Sequence, residues 1–94
     1  MRYSILQDKK ECYICHGKAE CWHEVFYGFA NRKLSIEDGC CIHLCNAHHN
    51  MSDNSVHFNK QMDLKVKRDM QLRWQEFYLK TKEDFIKRYG KNYL

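Results

Sequence analysis

The chain has 94 residues, of which 44% are hydrophobic and 30% charged, so it can form one small domain with a modest core. The formal net charge of +4 is mild, which by composition alone does not mark a strongly basic nucleic-acid tail. No apolar run reaches the roughly 18 residues that a bilayer-spanning helix needs, which excludes a membrane-inserted class.

The sequence of the N-terminal half predicts short secondary-structure elements. Aromatic and β-favouring residues indicate strands, and Gly28 breaks the first of them. In chain order we predict an extended arm, a strand, a loop, a second strand and a short helix, over residues 1–10, 21–26, 29–39, 40–44 and 45–51. Gly17 is expected to supply a tight turn after Cys15.

The C-terminal third has helical periodicity. Apolar residues recur every four positions, namely Met62, Val66, Met70, Trp74 and Tyr78. We predict one long helix over about 59–80, with this stripe in the core rather than around a cofactor. Thr81 and Asp84 have capping-box spacing, so a second helix is expected to begin there and to end at Gly90.

Cysteine and histidine spacing predicts a structural zinc site. Cys12 and Cys15 form a C-x2-C pair, and Cys45 and His48 form a C-x2-H pair about 30 residues later. A chain with no apolar signal peptide is expected in a reducing cytoplasm, where cysteines bind zinc more readily than they form disulfides.

The adjacent histidines at 48 and 49 predict a second metal site. Neighbouring helical residues point about 100° apart, so His48 and His49 can scarcely bind the same small ion. We therefore expect His49 to face His23 and to hold a separate, catalytic divalent ion, which can be Mg, Mn, Ni or Zn. His57 is a further candidate ligand of this ion.

The other cysteines and histidines have ordinary interpretations. Cys21, Cys40 and Cys41 compete as zinc ligands but are better explained as small buried hydrophobic residues. His16 and His43 are interpreted as surface or hydrogen-bonded residues.

Basic residues are concentrated near the C-terminus, where residues 60–94 carry ten Lys or Arg against five Asp or Glu. A basic helix beside a metal site suits a polyanion such as DNA, although a solvated helix face explains the charge as well. Arg32 and Lys33 are candidate phosphate-binding residues, and Arg32 is favoured because its fork can bind two phosphate oxygens.

Several segments together resemble the HNH (ββα-metal) endonuclease superfamily, and most of all the phage and prophage group related to the recombination-enhancement nuclease. The segments are His23-Glu24-Val25-Phe26-Tyr27-Gly28, Asn31-Arg32-Lys33-Leu34-Ser35, Leu44-Cys45-Asn46-Ala47-His48-His49, Val56-His57-Phe58-Asn59 and Tyr89-Gly90-Lys91-Asn92-Tyr93-Leu94. The resemblance covers nearly the whole chain and implies an α+β fold, with a zinc knuckle and ββα core over about 10–58 and C-terminal helices over about 59–90.

The resemblance also implies residue roles. His23 and His49 would bind the catalytic metal, and Glu24 stands where the family normally has the histidine that deprotonates water. Because a glutamate is a weak base near neutral pH, His23 itself, His57 or His43 remain alternatives. Cys40 stands where the family has its asparagine.

The sequence therefore predicts a metal-dependent DNA endonuclease of phage or prophage origin. Two alternatives remain open: a zinc-stabilised DNA-binding module without catalytic activity, and an interaction domain that dimerises through its long helix. The oligomeric state is not determined by the sequence.

Overall fold

A two-stranded antiparallel sheet and three α-helices form the fold, which a computed structural model describes for residues 1–94. The elements are β1 (Cys21–Glu24), α1 (Asn31–Asp38), β2 (Cys41–Leu44), a π-helical turn (Ala47–Met51), α2 (Lys60–Phe77) and α3 (Lys82–Tyr89). The predicted α+β class is confirmed. None of the helices combines the length and the apolar character that crossing a membrane requires.

The sheet is shorter than the sequence predicted. Cys21 lies opposite Leu44, and Glu24 lies opposite Cys41. The predicted strand over residues 21–26 ends two residues early because the backbone of Phe26 leaves the sheet. Its N–H donates to the side-chain oxygen of a buried serine in α1, and its carbonyl accepts a hydrogen bond from the same hydroxyl.

The predicted loop over residues 29–39 is wrong, because it contains α1. This helix has no apolar stripe for a sequence pattern to detect, and the fully buried Ser35 holds it to the backbone of Phe26, just after β1. Gly39 ends it with φ at 74°, in the left-handed region that favours glycine. A Cβ atom at Gly39 would clash with the ring of Tyr3, so the N-terminal arm also needs glycine there.

The N-terminal arm is tied to the rest of the fold. Ser4 forms an isolated bridge with Cys40, and the Ile5 N–H donates to the Gly39 carbonyl at 2.9 Å. Ile5 is buried in the core. The arm therefore has a fixed position beside the end of α1.

The predicted apolar stripe of α2 does pack into the core. Val66, Met70 and Trp74 are buried. The helix ends at Phe77 rather than near residue 80, because Leu79 adopts a left-handed backbone with φ at 54°.

One buried carboxylate joins the three helices. Asp38, at the end of α1, accepts hydrogen bonds from Trp74 Nε1 at 2.9 Å and from the Tyr89 hydroxyl at 2.8 Å. The Arg88 guanidinium also donates to Asp38, at 2.7 Å from one terminal nitrogen. The indole, hydroxyl and guanidinium donors all bond to the Asp38 carboxylate. The packing of α2 and α3 against α1 therefore leaves none of these polar groups without a partner.

The predicted capping box at the start of α3 is confirmed. The Thr81 hydroxyl accepts from the Asp84 N–H at 3.1 Å, and the Asp84 carboxylate accepts from the Thr81 N–H at 3.0 Å. We expect Thr81→Ala to lower the free energy of unfolding by about 1 kcal/mol, because it leaves an N–H at the helix start without its acceptor. Urea denaturation followed by circular dichroism measures this change. Thr81→Ser keeps the hydroxyl and should lose much less, so equal losses would contradict a capping role.

Candidate metal centres

The first group of metal-ligand side chains is formed by a knuckle and the end of β2. Cys12 and Cys15 lie in a turn closed by a hydrogen bond from the Cys12 N–H to the Gly17 carbonyl, at 2.9 Å. The residue with a left-handed backbone in this turn is His16, with φ at 62°, rather than Gly17. Glycine at 17 leaves room for a ligand, because a Cβ there would lie 3.3 Å from the Cys15 Sγ.

The four predicted zinc ligands Cys12, Cys15, Cys45 and His48 have donor atoms within 4.8 Å of one another. The Cys15 and Cys45 sulfurs are 3.8 Å apart, and His48 Nδ1 lies 3.3 Å from Cys45 Sγ and 3.8 Å from Cys12 Sγ. Tetrahedral zinc with usual bond lengths separates two sulfurs by about 3.8 Å and a sulfur and a nitrogen by about 3.6 Å. The group can therefore hold a structural metal such as zinc.

The electrostatics of the knuckle favour a thiolate. Burial alone raises the pKa of the Cys12 thiol, but backbone hydrogen bonds at Cys15, Cys45 and Ile14 outweigh it and lower the pKa to about 6. Because a metal binds the thiolate, this environment prepares Cys12 as a ligand.

The second group contains His23, His49 and His57, whose ring nitrogens also lie within 4.8 Å of one another. His23 comes from β1 and His49 from the π-helical turn. The chain then folds back on that turn, with the Val56 N–H bonded to the His48 carbonyl at 2.8 Å and the His57 N–H bonded to the His49 carbonyl at 3.3 Å. This backbone pairing places His57 beside His49.

His23 is the deepest of the three imidazoles. It is 3% exposed, and its Nε2 atom has no hydrogen-bond partner although it is buried. Burial, followed by the charges of His49, His57 and Lys67, lowers the His23 pKa to about 3. Burial also lowers the His49 pKa, with His57 as a second cause. Neutral imidazoles are the form that binds metals, and an unpaired buried nitrogen is costly without a ligand.

The spacing between His49 and His57 also fits a shared ion. Their Nε2 atoms are 3.1 Å apart. Two nitrogens bound about 2.1 Å from one ion lie about 3.4 Å apart at a tetrahedral angle and about 3.0 Å apart at the right angle of an octahedral ion, and the observed spacing lies between these values. The three imidazoles can thus hold one metal ion on three nitrogens.

A cavity of about 620 Å³ opens beside this histidine cluster. His23, His49 and His57 line it together with Glu24, Arg2 and other residues. His23 and Glu24 are neighbours in β1, and no bulge separates them. Both residues nevertheless line the cavity.

Glu24 is engaged by two guanidinium groups. Its carboxylate accepts from Arg2 Nε at 3.0 Å and from Arg32 Nε at 2.7 Å. The Glu24 side chain is only 10% exposed, whereas those of Arg2 and Arg32 are 38% and 64% exposed. The Glu24 carboxylate thus holds both guanidinium groups at the cavity through their Nε atoms. The terminal nitrogens of the two arginines make no hydrogen bond to it.

Other candidates lie apart from both groups. Lys33 is exposed and does not line the cavity, although Arg32 does. Cys40 and Cys41 are buried, and burial raises the pKa of each thiol to about 12, as befits packing residues. Cys21 is half-buried and its thiol donates to the Leu44 carbonyl.

The two remaining histidines also lie outside both groups. His16 is exposed beside Glu11, at 3.4 Å. His43 packs against Trp22, with ring centroids 3.8 Å apart.

Arg2 is the residue that sequence reasoning missed. It lies 22 positions before Glu24 in the chain and belongs to no motif. Only the path of the N-terminal arm in the fold shows that the two residues meet. Comparisons with protein families, curated proteins and solved structures find no match to this chain. Its site is therefore interpreted from its own geometry.

Proposed function

We propose that this chain is a metal-dependent endonuclease that hydrolyses DNA phosphodiester bonds, with a ββα-metal (HNH-like) site. The observation that carries the proposal is one open cavity bordered by three clustered imidazoles and two ion-paired arginines. The imidazoles suit a catalytic divalent ion, and the arginines suit a phosphate.

The histidines divide the work of holding the ion. His23, buried and without another partner, gives the deepest nitrogen, while His49 and His57 close the site from the side of the solvent. A divalent ion bound there would supply a Lewis acid for a phosphate oxygen and make a nearby water more acidic. Three nitrogen ligands favour Zn or Ni, with Mn possible and Mg least favoured, because Mg prefers oxygen.

The arginines would bind and orient the substrate. Each gives its Nε to Glu24, so the terminal nitrogens remain to bind phosphate oxygens in pairs. Their positions are fixed before the substrate arrives, which lowers the entropic cost of orienting it. In this proposal Glu24 is a positioning residue, because each of its two carboxylate oxygens already accepts a hydrogen bond from a guanidinium group.

A proton acceptor is still required. His57 is the exposed member of the cluster and reaches solvent, whereas His23 is enclosed. If His23 and His49 alone held the ion, His57 would be the side-chain base best placed to take the proton from water.

The test is incubation of the purified protein with supercoiled plasmid and, in parallel, with single-stranded DNA under Mg, Mn, Ni or Zn, followed by electrophoresis. We expect cleavage of DNA with Ni, Zn or Mn, and the weakest cleavage with Mg. If both substrates stay intact with every ion, the nuclease assignment is rejected. Circular dichroism of the same sample verifies that the protein is folded.

A second candidate is a zinc-stabilised DNA-binding module without catalysis. The engagement of Glu24 by Arg2 and Arg32 favours it, since the position expected to hold the base holds an ion-paired carboxylate instead. Such a module would bind DNA with a strong dependence on salt and leave the plasmid supercoiled.

A further inference from the structure

Phe29 is the most exposed aromatic side chain of the molecule, with a relative exposure of 106%. It lines the same cavity as the histidine cluster and follows Gly28 directly. Gly28 has φ at 103°, a backbone conformation that side chains rarely adopt. The turn before α1 therefore holds a bare phenyl ring in water at the edge of the cavity.

The surroundings of Phe29 point to a particular ligand. Trp22 and Tyr27 also line the cavity, so aromatic rings and the two arginines share its wall. One side of the Trp22 ring lies against His43. Single exposed apolar residues are ordinary, but aromatic rings that share a cavity with cations are typical of sites that bind nucleotides, with bases on the rings and phosphates on the cations.

We propose that Phe29, assisted by Trp22, stacks on an unpaired nucleobase and that the substrate of this site is single-stranded DNA. The inference rests on the proposed function, because it needs the DNA backbone at Arg2 and Arg32. Inside a duplex both faces of each base are covered by neighbouring base pairs. A protruding ring can insert into a duplex only at the cost of unstacking a base step, whereas an unpaired base offers its face without that cost, so the ring favours a single strand.

The experiment measures binding separately from cleavage. Fluorescein-labelled single-stranded DNA and the same sequence as a duplex are titrated, without added divalent ions, with the parent, Phe29→Ala, Phe29→Trp and Phe77→Ala. Phe77 is a matched control because it is an exposed phenylalanine in a different cavity, on α2. Fluorescence anisotropy gives each dissociation constant.

We expect Phe29→Ala to weaken single-strand binding by roughly tenfold and duplex binding by less than about twofold. Phe29→Trp should bind single-stranded DNA about as tightly as the parent. Phe77→Ala should leave the dissociation constants for both DNA forms unchanged. Equal losses on the two DNA forms, or no loss on either, would overturn the stacking role. If this pattern holds while neither the plasmid nor single-stranded DNA is cut with any ion, the stacking inference survives and the nuclease proposal fails.

Discussion

His48→Ala is expected to remove the structural metal and with it most of the stability of the fold. Zinc bound to such a group contributes apparent free energies of about 10 to 16 kcal/mol, which is comparable to the whole stability of a domain of this size. The four ligands join the knuckle at Cys12 and Cys15 to the end of β2 at Cys45, so the variant loses the link between distant parts of the chain. We expect no cooperative thermal transition near that of the parent.

Two measurements check this result. Elemental analysis gives the metal content per chain, and circular dichroism gives the melting temperature. His48→Cys supplies a thiolate at the same position and should restore both metal and melting, because zinc accepts four cysteines as readily as three and a histidine. His16→Asn is the matched control, since His16 is exposed and asparagine tolerates its left-handed backbone. A parent-like melting temperature and zinc content in His48→Ala would refute the structural role.

His49→Ala is expected to abolish DNA cleavage while keeping the fold. This differs from His48→Ala, one residue earlier in the chain, which is expected to lose the fold. The variant removes one of three nitrogens from the proposed catalytic site but none of the Cys12, Cys15, Cys45 and His48 group. We expect cleavage of plasmid and of single-stranded DNA to fall by at least about a hundredfold, since the Lewis acid supplies several kcal/mol of transition-state stabilisation. The melting temperature should stay close to that of the parent.

The contrast with His48→Ala makes the test specific. Elemental analysis after loading with the activating ion should show one metal fewer per chain in His49→Ala, with the structural zinc kept. His16→Asn again serves as a control, because it removes a histidine that belongs to neither cluster. Unchanged cleavage in a folded His49→Ala would remove His49 from the proposed site.

The sequence was informative where chemistry or periodicity is local. The paired spacing of Cys12 with Cys15 and of Cys45 with His48 predicted a group that the structure brings together. The four-residue period predicted α2, and the Thr81 and Asp84 pair predicted the start of α3. These signals depend on neighbours in sequence, so one chain is sufficient to detect them.

The sequence failed where a residue acts through a distant contact. The helix α1 was predicted as a loop because Ser35, buried against the backbone of Phe26, holds it in place rather than an apolar stripe. The sequence left the general base open between Glu24 and the histidines, and no spacing could show that Arg2 and Arg32 converge on Glu24.

What the sequence by itself determined is the set of side chains able to bind metal and the helical nature of the C-terminal third. What only the tertiary structure decided is how His23, His49 and His57 share one cavity with Arg2 and Arg32. The physical reason is that ligand type and helical period are properties of nearby residues. The cavity, in contrast, arises from backbone hydrogen bonds that fold residues 52–58 onto the π-helical turn and fix the N-terminal arm beside the end of α1.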